Sequence, residues 1–250
     1  MATTSGLTQF NLDLSEIIEE AFERCGAELR TGYDMRTARR SMNLLFADWA
    51  NRGINMWTIE QGTINLTQGT NTYVLPVDTV DLIEHVIRTG AGNSTTQADL
   101  TISRISVDTY ATIPNKLAQG RPIQVWINRQ SGATYPTATA PSYANSSTGV
   151  DAPQITVWPT PDGSQSYQFV YWRLRRIQDA GDGSNVFDIP FRMIPAITAG
   201  LAYYLALKIP GADARIPVLK QQYDEAWDLA STEDREKAPQ RFVPRRMFIT

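Results

Sequence analysis

Apolar residues at 14, 17, 18, 21, 22 and 25 recur at i, i+3, i+4, i+7, i+8 and i+11, which lays Leu14, Ile17, Ile18, Ala21, Phe22 and Cys25 along one helical stripe. Asp13, three residues before Glu16, forms a capping pair, and Gly26 is free to turn left-handed after the last turn. A second helix is predicted over 35–52. Asp34 is its cap, Ala38, Met42, Leu45, Phe46 and Trp49 form its apolar face, and Gly53 follows its end. The short link through Gly32 predicts that the two helices pair antiparallel.

From Trp57 onward the period changes to two and β-branched residues take over. Residues 63–67 and 72–76, joined by Gln68-Gly69-Thr70-Asn71, read as a hairpin. Further strands are predicted over 82–88, 100–104, 123–129, 154–158 and 167–175, separated by clusters of Gly, Pro, Asn and Ser. Residues 131–153 are nearly all small or polar and show no period. An aperiodic loop of that length is functional or disordered, and it is expected to be ordered by a partner or mobile.

Helical signals then return. Asp188 is placed to cap a helix with Pro190 in its first turn, and 196–208 is rich in Ala and Leu, with Pro195 kinking or restarting it. A last helix starts near Pro217, carries Ile216, Leu219, Tyr223, Ala226, Trp227 and Ala230 on one stripe, and ends before Pro239. Residues 241–250 hold three arginines, no acid and the apolar end Met247-Phe248-Ile249, the composition of an extended tail. Each terminal pair of helices has a stripe it cannot bury alone. The fold class is therefore α+β: a helical bundle from 1–56 and 186–239, a β-rich insertion over 57–185 and an extended C-terminal arm over 240–250.

With 250 residues, 42% hydrophobic and 20% charged, the chain is long and apolar enough to build a substantial core. Its 23 basic and 26 acidic residues leave a net charge of -3, which argues against wrapping nucleic acid. One cysteine and one histidine exclude an intrachain disulfide and a Cys/His zinc cluster. Residues 1–10 lack the basic and apolar regions of a signal peptide. The longest apolar helical stretch, 196–209, falls short of the roughly 20 residues of a membrane span. The chain is expected in the cytoplasm unless it leaves within a larger particle.

Individual side chains add little chemistry. His85 has no second histidine and no Ser or Cys motif to serve, so it reads as a strand residue rather than a base. Cys25 sits in an apolar stripe and reads as core. Asp179, Asp182, Asn185 and Asp188 flank Gly181 and Gly183, but their spacing is not that of an EF-hand, and a turn followed by a cap explains them. Gly90, Gly92 and Gly120 form no nucleotide fingerprint. The triplets at Asn65, Asn93 and Asn145 are chance glycosylation matches. Residues Tyr167, Phe169 and Tyr171 alternate with Val170, Trp172 and Leu174, a pattern that suits burial on both faces better than base stacking.

One order of signals is more telling. A strand, a Ser-capped turn with a tyrosine, Ile113-Pro114-Asn115-Lys116 and Gly120-Arg121-Pro122 precede a second strand and a loop. Ile155-Thr156-Val157-Trp158-Pro159-Thr160-Pro161-Asp162 and an aromatic strand then follow. With two amphipathic helices before it and a Pro-started, Ala-rich helix after it, this resembles the head-to-tail adaptors, or tail accessory factors, of short-tailed bacteriophages (podovirus-type connectors).

The resemblance implies a structural virion protein and no enzyme, without cofactor or metal. It would form a dodecameric ring on the portal, join head to tail and to downstream tail or nozzle proteins, and extend a channel that DNA crosses without tight binding. It would reside at the head–tail junction, with no membrane contact, and in the host cytoplasm during assembly. By position 196–207 and 216–230 would be core helices, with Tyr203, Tyr204, Tyr223 and Trp227 as ring-interface candidates. Arg241, Phe242, Arg245, Arg246, Met247, Phe248 and Ile249 would form the portal-docking arm. The large middle with its 131–153 loop departs from compact members of that family. The rival expectations are a tail-associated cell-wall hydrolase, which needs convergent carboxylates, and a cell-surface carbohydrate-binding module using the aromatic β region.

Overall fold

The computed structural model describes residues 12–30, 32–53, 56–129, 152–181 and 187–235, which form five α-helices and eight strands in two sheets. The chain divides into two units, a helical one that ends at Trp57 and resumes at Gln178, and a β unit, Thr58–Ile177. Residues 178–181 belong with the helices, where the Ala180 N–H donates to Asn43 Oδ1 at 2.8 Å.

In the helical unit, α1 (Leu14–Cys25) has both ends tied as its sequence dictates. Asp13 accepts the Glu16 N–H and Glu16 accepts the Asp13 N–H, each at 2.9 Å, while Gly26 adopts φ 78°. All six stripe residues are buried. Helix α2 (Gly32–Arg52) starts earlier than expected. Asp34 lies inside its first turn instead of capping it, a place the helix dipole favours for an acid, and its carboxylate accepts the Arg30 N–H at 3.3 Å.

The expected α1–α2 pair is replaced by a different arrangement. Both helices pack on α4 (Ile194–Ala206), and so does α5 (Ile216–Glu233). The reason is written in α4 itself, which is buried almost all round with Ala196, Ala199, Gly200 and Ala202 among its residues. Small side chains let neighbours close in from several sides. A Cβ on Gly200 would stand 2.8 Å from a ring carbon of Tyr223 and 3.0 Å from Leu45 Cδ2. Pro195 lies in the first turn of α4, and Pro190 precedes a 3-10 turn, Phe191–Met193, that leads into it. Asp188 caps neither element and instead accepts the Gln178 N–H at 3.4 Å.

The β unit contains β1 (Ile59–Leu66), β2 (Thr72–Val74), β3 (Thr79–Thr89), β4 (Ala98–Thr101) and β5 (Ser103–Ile105). A short helix, α3 (Val107–Thr112), follows, capped by Ser106 and carrying Tyr110, and then come β6 (Gln124–Asn128), β7 (Gln154–Trp158) and β8 (Tyr167–Arg175). One sheet runs β1-β8-β3-β4 and the other β2-β7-β6-β5. All neighbours are antiparallel except β5 and β6. Leu82, Ile87, Phe169 and Tyr171 from the first sheet share one core with Val125, Ile127, Ile155 and Val157 from the second, a sandwich.

Two predicted strand arrangements are overturned by this sandwich. Residues 63–67 and 72–76 do not form a hairpin, because β1 pairs with β8 and β2 with β7. Tyr73 Oη accepts the Thr67 N–H at 2.8 Å and lies 2.8 Å from the Thr70 carbonyl, and the Gly69 N–H bonds the Pro161 carbonyl at 3.0 Å. The turn thus carries the chain from one sheet to the other. The single strand expected over 100–104 is likewise two, β4 in one sheet and β5 in the other, meeting at buried Ile102. Strand β8 lies between β1 and β3 with Phe169 and Val170 both fully buried, whereas Trp172 and Leu174 are half-buried, so the predicted burial on both faces is met only in the middle of the strand. Of the predicted loop only 152 and 153 fall among the described residues.

Candidate functional site

The four ring-interface candidates come together in one aromatic cluster of the helical unit. Trp49 of α2, fully buried, donates its indole N–H to Tyr223 Oη of α5 at 2.9 Å and packs 4.9 Å from the Trp227 ring. Tyr203 of α4 stacks on Tyr223 at 6.4 Å and meets Tyr204 edge-on at 5.8 Å. Arg52 lies 5.1 Å over both the Tyr223 and the Trp227 ring and donates to Asp48 at 2.9 Å.

Tyr223 is buried among these groups, whereas Tyr203, Tyr204 and Trp227 keep part of their rings at the surface. Burial pushes the Tyr223 hydroxyl far above its ordinary range, so it stays a neutral hydrogen-bonding group. Sequence periodicity finds Trp49 as core but not its hydrogen bond, and it misses Arg52. The available signal is the cation three residues after Trp49 in the last turn of α2.

Beside the cluster a cavity of about 240 Å³ is lined by Arg52, Trp57, Met193, Trp227, Asp234 and Arg235, among others. Asp234 is buried, accepts the Met56 N–H at 2.9 Å and is ion-paired with Arg192. A second, more apolar groove of about 610 Å³ runs along Phe22, Tyr33, Leu205 and Ile209 and reaches Arg40 and Lys208.

The other singled-out residues sit apart from these cavities. His85 stacks on Phe169 at 5.8 Å, and among the described residues neither ring nitrogen has a hydrogen-bond partner. Cys25 donates to the Ala202 carbonyl at 3.1 Å, and burial pushes its thiol up to about 11. Among the described residues no group of three or more His, Cys, Asp and Glu is placed to hold a metal ion. Arg173 pairs with Glu60 at 2.8 Å and Asp78 at 2.5 Å, and Arg175 pairs with Glu60 at 2.6 Å, so both serve the β unit itself. The seven arm residues from Arg241 to Ile249 lie outside the described residues, as do Asp182 and Asn185.

The SU10 adaptor protein family model matches residues 12–245. The chain belongs to the SU10 adaptor protein family. It is thus a phage adaptor, a structural protein that associates with head and tail components. Among curated proteins none matches the chain. Among the described residues no helix of this adaptor is long and apolar enough to cross a membrane.

Proposed function

We propose that this adaptor forms a closed ring, a dodecamer, on the portal of a short-tailed phage, joins head to downstream tail proteins and extends the channel through which DNA is ejected. The observation that carries the reading is the family match over nearly the whole chain. In this reading the helices form the ring body, the β unit is an insertion into it, and 240–250 is an arm that docks on the portal. The role is structural, with no catalysis and no cofactor.

A heterologous contact between identical subunits generates a ring when its rotation closes. The native mass of the protein with and without a portal ring tests the assignment, and a chain that stays monomeric at high concentration and ignores its portal removes it. Deleting 240–250 should leave the melting temperature nearly unchanged and weaken portal attachment. Unaltered attachment would remove the arm.

A further inference from the structure

The helical unit carries two outward faces of opposite chemistry. On α2, Tyr33, Arg36, Arg40 and Leu44 fall at i, i+3, i+7 and i+11, on the side away from buried Ala38, Met42, Leu45 and Trp49. Tyr33 is 65% and Leu44 54% exposed. Among the described residues Arg36 bonds only the Gly32 carbonyl of its own helix, at 3.4 Å, and no carboxylate is paired with Arg39 or Arg40. The 610 Å³ groove adjoins this face and carries both signs of charge: Arg40 and Lys208 on one hand, and on the other Glu28, ion-paired with Arg30, and Asp34, which accepts the Arg30 N–H. Among the described residues Thr37 Oγ1, buried in its lining, has no partner, and Lys208 is held below its ordinary proton affinity first by burial and then by the nearby Arg40 charge.

On α5, Val218, Gln222, Glu225 and Leu229 fall at i, i+4, i+7 and i+11, with Asp228 beside them, on an exposed flank of the helix next to the face that buries Leu219, Tyr223 and Ala230. Leu229 is 76% and Val218 56% exposed, the values of side chains left in water. Both stripes therefore begin and end on a large apolar side chain, carry their charges between, and run for the same roughly 16 Å of helix. The charges are basic on α2 and acidic on α5.

We propose that these faces are the two halves of a head-to-tail contact between copies of this chain, the α2 face and its groove on one copy receiving the α5 face of the next. Glu225 and Asp228 then meet Arg36, Arg40 and Lys208, while Leu229 and Val218 cover apolar surface around Tyr33 and Leu44. Complementary charge fixes the partner and register, and like charge on the same faces disfavours pairing α2 with α2 or α5 with α5. Two different surfaces meet, so the contact repeats around a ring instead of closing as a two-fold dimer. The inference rests on the ring reading above and names the surfaces that build it.

The test uses the full chain with two double substitutions, Arg36→Glu with Arg40→Glu, and Glu225→Arg with Asp228→Arg, followed by light scattering and native mass. Each variant alone should self-associate at least about tenfold more weakly, with an unchanged melting curve, since all four side chains are exposed or unpaired across elements. Mixed one to one, the two variants should regain the wild-type mass, because reversed faces alternate with native ones around the ring. Variants that assemble like the wild type overturn this contact alone, and so does a mixture that recovers nothing. A wild-type chain that never assembles, even with its portal, overturns the ring reading and this contact with it. If the α2 variant keeps its assembly and loses only retention on duplex DNA, the basic face serves phosphate and the contact is overturned.

Discussion

At the scale of single residues, buried polar groups decide more than exposed charges do. Tyr223 Oη is the acceptor for the fully buried Trp49 indole. Tyr223→Phe should keep the packing, strand that N–H and lower the unfolding free energy by about 1–3 kcal/mol, read from urea denaturation. Exposed ion pairs such as Arg30 with Glu28 should change stability far less when removed. His85 gives a pH signature. Burial, reinforced by Arg104 and opposed by Glu84, holds its imidazole below the ordinary value of 6.5. As pH falls the unfolded chain takes up this proton first, so the residue's contribution to stability is complete above about pH 6.5 and is lost as pH drops through the folded value. Denaturation midpoints measured from pH 7.5 to 5 should therefore fall less steeply in His85→Phe than in the wild type.

At the scale of elements, α4 illustrates a conflict between local and tertiary preference. Alanine is favoured over glycine inside a helix by about 1 kcal/mol, so propensity alone makes Gly200→Ala stabilising. The missing Cβ, however, is where Tyr223 and Leu45 approach to 2.8 and 3.0 Å. Overpacking of this kind costs typically about 1–3 kcal/mol, and the substitution should lower the melting temperature. The opposite case is α1, whose cap is local. Asp13→Ala removes the acceptor for the Glu16 N–H and should cost about 0.5–2 kcal/mol in thermal unfolding, with no effect beyond helix stability. The β1–β2 connection belongs with α4, because an alternating pattern bounded by a Gly-containing turn looks the same whether the two strands pair with each other or with β8 and β7.

At the scale of the whole molecule, the proposed channel role favours a surface that does not hold DNA. The chain carries a net charge of -3, and the arginines of β8 are committed to Asp78 and Glu60. Association with duplex DNA should be weak and abolished by salt, falling by about 0.9 in log affinity per phosphate contact against log salt. A titration at near-physiological salt checks this, and sub-micromolar affinity of the isolated protein would contradict a passive channel.

What the sequence determined by itself is everything whose cause lies within a few residues. The α1 stripe with its Asp13–Glu16 box and Gly26 end, the Pro-started α4 and α5, and strands β7 and β8 all follow from periods and caps that need no partner. Tertiary structure alone decided which elements meet. The hydrophobic period says that a face will be buried but not against what, so neither the packing of α1 and α2 on α4 nor the split of 100–104 between two sheets was legible. The aromatic cluster around Tyr223 has the same origin: its members are separated by up to 178 positions, from Trp49 to Trp227, and hydrogen-bond and ring geometry over such distances exists only once the chain has folded.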